Sequence, residues 1–229
     1  MFREYALTFF KDLFLVMAAL IPILNPMGQM PIFLSQTQDI PAVDRKILAQ
    51  KIATYGFFIL VGSMFIGTYL LKFFGISLPV VQVGGGLLVS LTGWSLLQSP
   101  DTPAGTLTPN QQQAVDNEAI RAAYSRRAFF PLTFPLTVGP GSISVAITLG
   151  ANLRTQATGE GIILVSSILG VVAVAATVYF CYRYADRLVS RLGEIGAVIV
   201  LRLSAFILLC LGIQIMWNGL SELLKSLHI

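Results

Sequence analysis

The chain has 229 residues, of which 26 are charged (15 Lys and Arg, 11 Asp and Glu) and 55% are hydrophobic. Charged residues make up 11% of the chain, where an ordinary soluble domain carries about 25%. That balance excludes a soluble enzyme, a secreted disulfide scaffold and a disordered chain, and it disfavours an outer-membrane barrel, whose strands alternate polar and apolar over about ten residues.

In chain order, six stretches contain no Asp, Glu, Lys or Arg: Leu13–Gln38, Ile52–Leu71, Phe73–Pro100, Ala128–Leu153, Gly161–Tyr182 and Leu203–Ser221. A bilayer-spanning helix needs about 20 mainly apolar residues, so each stretch reads as one span. The fold class is therefore an all-α membrane protein with six transmembrane helices. Arg3, Glu4, Lys11 and Asp12 precede the first run, and no small-residue cleavage site follows it. The first span is expected to stay as an anchor.

The formal net charge is +4, and in a polytopic chain basic residues set topology rather than bind nucleic acid. The amino end, loops 2–3 and 4–5 and the tail carry Arg3, Lys11, Lys72, Arg154 and Lys225. Loops 1–2, 3–4 and 5–6 carry Arg45, Lys46, Lys51, Arg121, Arg126, Arg127, Arg183, Arg187 and Arg191. The richer side belongs in the cytoplasm, which puts both termini outside. Cys181 and Cys210 lie inside spans without metal-ligand spacing, so neither a disulfide, a metal site nor a cofactor is expected.

The polar stretch Gln98–Arg127 divides the chain into a first three-helix half (1–97), a cytoplasmic connecting loop (98–128) with a short helix around Ala114–Tyr124, and a second half (129–229). Three spans per half mean that related halves insert in opposite orientations. Span one contains Pro22 and then Asn25-Pro26-Met27-Gly28; span four contains Pro135 and then Gly139-Pro140-Gly141-Ser142. Gln82–Gln98 also overlays Arg202–Asn218 without gaps. The expectation is two inverted repeats whose first helices, 1 and 4, are broken at NPMG and GPGS.

A break frees backbone groups that hydrocarbon cannot satisfy. One break alone is often only a kink, but paired Gly/Pro-interrupted segments point to a midplane site in inverted-repeat transporters. A half-helix starting after Gly28 or Gly141 would turn amide N–H groups and a partial positive charge towards an anion. The candidate substrate-binding residues are Asn25, Pro26, Gly28, Gly139, Pro140, Gly141 and Ser142, flanked by Gln29 and Ser144. Neutral donors of this kind suit a small zwitterion with a carboxylate.

Arg202 joins the set as a carboxylate clamp, with snorkelling to the head groups as the alternative. Gln214, one turn from Asn218, lines a cavity or serves as interhelical hydrogen-bond glue, and Gln82 has the same two readings. Gly84, Gly85, Gly86, Ser90 and Gly93, like Ser63, Gly67, Ser166 and Gly170, read as close-packing positions. Enzyme chemistry finds no support: the single histidine is His228, and no carboxylate pair or nucleophile–base pair lies in the spans. With no Asp or Glu inside them, a carboxylate proton relay is disfavoured; a coupling ion, Na or H, stays open.

Asn25-Pro26-Met27-Gly28 resembles the NPxG motif of the MarC family of integral membrane proteins. The run Phe130-Pro131-Leu132, Pro135-Leu136 and Gly139-Pro140-Gly141-Ser142 is similar to that family's P-L…P-L…AGPG segment. Phe74-Gly75-Ile76-Ser77 leading to Gly85-Gly86-Leu87-Leu88 resembles its FGIS…GG segment, and Arg202-Leu203 through Cys210–Gln214 to Asn218-Gly219 resembles its final helix. Ser204-Ala205 departs from the family's usual Met-Gly. The resemblance covers nearly the whole chain. It implies a six-span inner-membrane protein related in fold to amino-acid exporters, with substrate contacts around Asn25, Gly28, Gly139, Gly141 and Ser142. The expected function is secondary transport of small neutral amino acids by alternating access; a passive channel and a non-transporting scaffold are the alternatives.

Overall fold

The computed structural model describes residues 2–37, 39–98, 124, 126–154 and 160–226, and every regular element among them is helical. In order these are α1 (Phe2–Leu24), α2 (Pro26–Gln36), α3 (Ala42–Phe73), α4 (Leu78–Gln98), the wide-turned α5 (Ala128–Thr137), α6 (Pro140–Arg154), α7 (Glu160–Arg183) and α8 (Ala185–Ser226). Ala6–Leu34, Ala42–Phe73, Leu78–Gln98, Ile163–Arg183 and Ile195–Ser226 are long and apolar enough to cross a bilayer. The pair α5 and α6, bent by 68°, makes a sixth if it counts as one span. The chain is thus an all-α polytopic membrane protein. The segment 99–123, with the short helix expected there, and His228 lie outside the described residues.

Local chemistry explains the irregular places. Between α1 and α2, Asn25 adopts φ 45° and ψ 55°, a left-handed conformation that Asn tolerates better than most L residues. Pro26, lacking an N–H, then starts α2, where that donor has no helical partner anyway. In α5 the tetrad Phe-Pro-Leu-Thr occurs twice in succession, Phe130–Thr133 and Phe134–Thr137. Phe130 and Phe134 are extended, and the threonine hydroxyls donate five residues back, Thr133 to the Ala128 carbonyl and Thr137 to that of Leu132. Pro131 and Pro135 have no N–H to give, and these hydroxyls add side-chain bonds to carbonyls within the irregular segment. Gly193, with φ 68°, turns α8 as the chain enters its apolar part.

Lipid-facing packing cannot rely on a hydrophobic drive between helices, so small residues set the approach. The most intimate pair is α4 with α8: a Cβ on Gly93 would lie 2.6 Å from the Leu209 amide nitrogen, and one on Gly212 2.5 Å from Ser90 Oγ. Gly85 faces Ser144 of α6, Gly67 faces Ile147, and Gly170 of α7 faces Val16 of α1. Gly84, by contrast, points into open space. Around these seams α2 packs on α8, α6 on α3 and α4, and α7 on α1, α2 and α3. The core includes Val16, Leu20, Leu24, Phe33, Ile52, Leu60, Met64, Val138 and Val171, whereas Phe58, Phe73, Trp94 and Trp217 cover the outside.

At one end, Arg45 binds Asp186 at 2.8 Å, and Arg127 pairs with Asp39. These pairs clip together the connections after α2, before α5 and after α7, three of the segments rich in basic residues.

One expectation is overturned. Asp12 lies within α1 and within the apolar run from Ala6, and it has no exposed surface. Both carboxylate oxygens lack a hydrogen-bond partner. An acidic residue therefore does sit within a helix long and apolar enough to cross a bilayer. A charge-free window must begin after the charge, so it places Asp12 outside by construction.

Candidate functional site

The first break is built around one side chain. Asn25 Oδ1 accepts the Gly28 amide at 3.1 Å, and the Asn25 carbonyl accepts the Gln29 amide at 3.1 Å. The Gly28 amide is therefore already capped, and the half-helix begins at Pro26 rather than beyond Gly28. Gly28 must lack a Cβ, which would come within 2.8 Å of both Asn25 Oδ1 and Ser204 Cβ. Asn25 Nδ2 is buried and has no partner. A buried amide donor without an acceptor is costly, so the break carries one polar atom whose bonding is incomplete.

The second break follows α5. Pro140 opens α6, and Ile143 is the residue whose amide reaches back to the Gly139 carbonyl, at 3.1 Å. The amides of Gly141 and Ser142 therefore precede the helical ladder. Ser142 Oγ donates to the Gly139 carbonyl at 2.8 Å, which holds the turn closed. Gly141 fits against Val89 and the Gly85 carbonyl of α4. One turn further, Ser144 Oγ donates to the Val81 carbonyl at 2.9 Å. The adjacent Gln82 has a buried Oε1 without a partner. An unsatisfied donor thus lies at the first break and an unsatisfied acceptor beside the helix that follows the second.

The two breaks meet through Tyr182. Its hydroxyl donates to Gln29 Oε1 at 2.9 Å and lies 2.9 Å from Thr137 Oγ1, while its ring stacks on Phe33 with centroids 4.5 Å apart. Leu24 and Val138, the residues before Asn25 and before Gly139, line one small cavity with Ile52, Leu60 and Val174. Its volume is about 10 Å³, room for about one water molecule.

Of the residues singled out from sequence, Asn25, Pro26, Gly28, Gly139, Pro140, Gly141 and Ser142 occupy these two turns. Arg202 is half-buried in α8, two residues before the Ser204 that touches Gly28. Gln214 is not brought to them. It lies on an exposed face about 15 Å further along α8, donating to Asn218 Oδ1 at 2.9 Å. Sequence reasoning missed Tyr182, Thr137 and Asp12. The doubled Phe-Pro-Leu-Thr was a usable signal for Thr137. Tyr182, next to Arg183 at the end of a span, reads as an interfacial aromatic until its long-range partners are seen.

A family model described as "MarC family integral membrane protein" matches residues 10–224. The inner membrane protein MarC of Salmonella typhimurium strain LT2 is 27% identical over 224 residues, covering 96% of this chain and 98% of its own. The protein of the same name from Escherichia coli O6:H1 is 27% identical over 231 residues, covering 97% and 100%. No solved structure matches the chain. With four motifs in order and a match from end to end of the helical bundle, the chain belongs to the MarC family of integral membrane proteins.

Proposed function

We propose that this protein is an inner-membrane secondary transporter of small neutral amino acids, working by alternating access between two inverted repeats of three helices. The observation that carries the reading is the meeting of the two breaks at Tyr182, with the unpartnered Asn25 Nδ2 on one side. A zwitterion complements what is left over: Asn25 Nδ2 and the Gly141 and Ser142 amides can take a carboxylate, and Gln82 Oε1 can take an ammonium. Arg202 supplies long-range positive charge from the α8 side.

Helix pairing supports the repeat. Matching α1–α4 onto α5–α8, the contact of α2 with α8 corresponds to that of α6 with α4. The contact of α1 with α7 corresponds to that of α5 with α3, and that of α3 with α6 to α7 with α2. The pairs α3–α7 and α4–α8 map onto themselves. This is the pattern of a pseudo-two-fold axis, as inverted-repeat transporters have. The repeats correspond to residues 1–97 and 129–229, and the basic loops clipped by Arg45–Asp186 and Arg127–Asp39 face the cytoplasm, leaving both termini outside.

In this reading the substrate space opens during the cycle, since the cavity beside Leu24 and Val138 has room for only about one water. Opening requires the halves to slide along the seams of small residues. The test is counterflow of labelled alanine in proteoliposomes. Wild type should exchange with saturation and trans-stimulation, while Asn25→Ala and Gly141→Leu should abolish exchange. Saturation-free flux without trans-stimulation would assign a channel; absence of flux together with no thermal stabilisation by any of the common amino acids would refute transport.

A further inference from the structure

A second cavity, of about 340 Å³, opens at the clipped end of the bundle and reaches inward as far as Tyr182. Arg45, Lys46, Arg183 and Arg187 line it, with Tyr184 and Asp186. Asp186, the one carboxylate among these lining residues, is already bonded to Arg45. Four cations therefore face one committed acid, and the surplus is positive.

The cations are also held in place. Arg183 bonds the Tyr179 hydroxyl and lies 5.8 Å from the Tyr184 ring centroid, with Arg187 at 6.0 Å from the same ring. Cation–π contact orients guanidinium planes without neutralising their charge. The apolar span of α7 ends at Arg183, so the cavity sits at head-group depth. At its rim the surface turns apolar towards the membrane zone: Phe180 of α7, one turn before Tyr184, is exposed and stacks with it at 6.4 Å. A soluble anion would need the cations alone. The pairing of a basic cavity with an exposed apolar flank fits a molecule that has a phosphate at one end and a hydrocarbon chain at the other.

We infer that the basic cavity formed by Arg45, Lys46, Arg183 and Arg187 binds the phosphate head group of an anionic membrane lipid, whose acyl chain lies along Phe180. This inference is independent of the transport reading. The test uses the purified full chain in detergent, titrated with dioleoylphosphatidylglycerol and followed by native mass spectrometry. Lys46 and Arg187 are exposed, so the double variant Lys46→Gln/Arg187→Gln should fold and keep its melting temperature in detergent. It should bind the lipid roughly 30-fold more weakly, about fivefold for each charge removed near the surface. Lys225→Gln, at the far end of α8, should bind as wild type does. Equal binding of dioleoylphosphatidylcholine, equal loss in Lys225→Gln, or unchanged binding in the double variant would each overturn the inference. Stabilisation by inorganic phosphate with no retention of dioleoylphosphatidylglycerol would overturn it too, by assigning the cavity to a soluble phosphate.

Discussion

Asn25 caps the helix that starts beside it: its Oδ1 accepts the Gly28 amide at 3.1 Å while its own backbone is left-handed. The same side chain thus serves the fold through its oxygen and leaves its nitrogen unused. The two roles can be separated. Glycine keeps the left-handed backbone at no steric cost and weakens an N-cap by only a few tenths of a kcal/mol. Asn25→Gly should therefore melt close to wild type yet lose amino-acid counterflow. A variant that exchanges alanine normally would show that Nδ2 does not bind substrate.

Tyr182 holds the two breaks together through one hydroxyl. Tyr182→Phe keeps the stacking on Phe33 and removes that oxygen, leaving Gln29 and Thr137 each short of a partner. The expected destabilisation is about 1–3 kcal/mol, since the buried polar groups stay behind. Adding Gln29→Leu removes one of them and should recover part of the loss. Thermal unfolding of the single and double variants, read as a cycle, measures the coupling; strict additivity would mean that the hydroxyl bridge contributes nothing.

How much of this was legible beforehand follows from the physics of each feature. Spans are written in composition, because hydrocarbon excludes charge along a whole helix, and the proline and glycine pairs at Asn25–Gly28 and Gly139–Ser142 are backbone chemistry that shows in the residues themselves. Tyr182 with Gln29 is a pairing across 153 positions, for which no local pattern exists. Gln214 had the right residue type, but the side of α8 it occupies depends on how α4 packs there. Asp12 was hidden because its burial comes from neighbouring helices and not from its own stretch of chain.

Two glycines of α4, Gly93 and Gly84, should behave oppositely. A methyl at Gly93 would meet the Leu209 amide and the Ala205 carbonyl at 2.6 and 2.8 Å, backbone atoms that cannot turn aside. Gly93→Ala should cost about 1–3 kcal/mol through forced separation of α4 and α8. At Gly84 nothing lies within 4 Å, so Gly84→Ala should be neutral or stabilise by up to about 1 kcal/mol through lower chain entropy. Melting temperatures of the two purified variants in one detergent decide the matter. Similar shifts would mean that the α4–α8 seam is not the close contact described.

Asp12 is the one carboxylate among the described residues that is fully buried, and neither of its oxygens has a partner. A charge in that position is expensive, and ionisable groups inside spans commonly carry protons or ions through a transport cycle. Asp12 lies on α1 beside Leu13, whose carbonyl faces Gly170 of α7, and well before the turn at Asn25. If it couples transport to protons, Asp12→Asn should leave alanine exchange under equilibrium conditions intact, because the breaks are untouched. The same variant should lose accumulation of alanine driven by a pH gradient. Proteoliposomes loaded at one pH and diluted into another separate the two activities. Gradient-driven accumulation equal to wild type would remove Asp12 from the coupling mechanism, whereas loss of exchange as well would place its effect on the motion of α1 against α7.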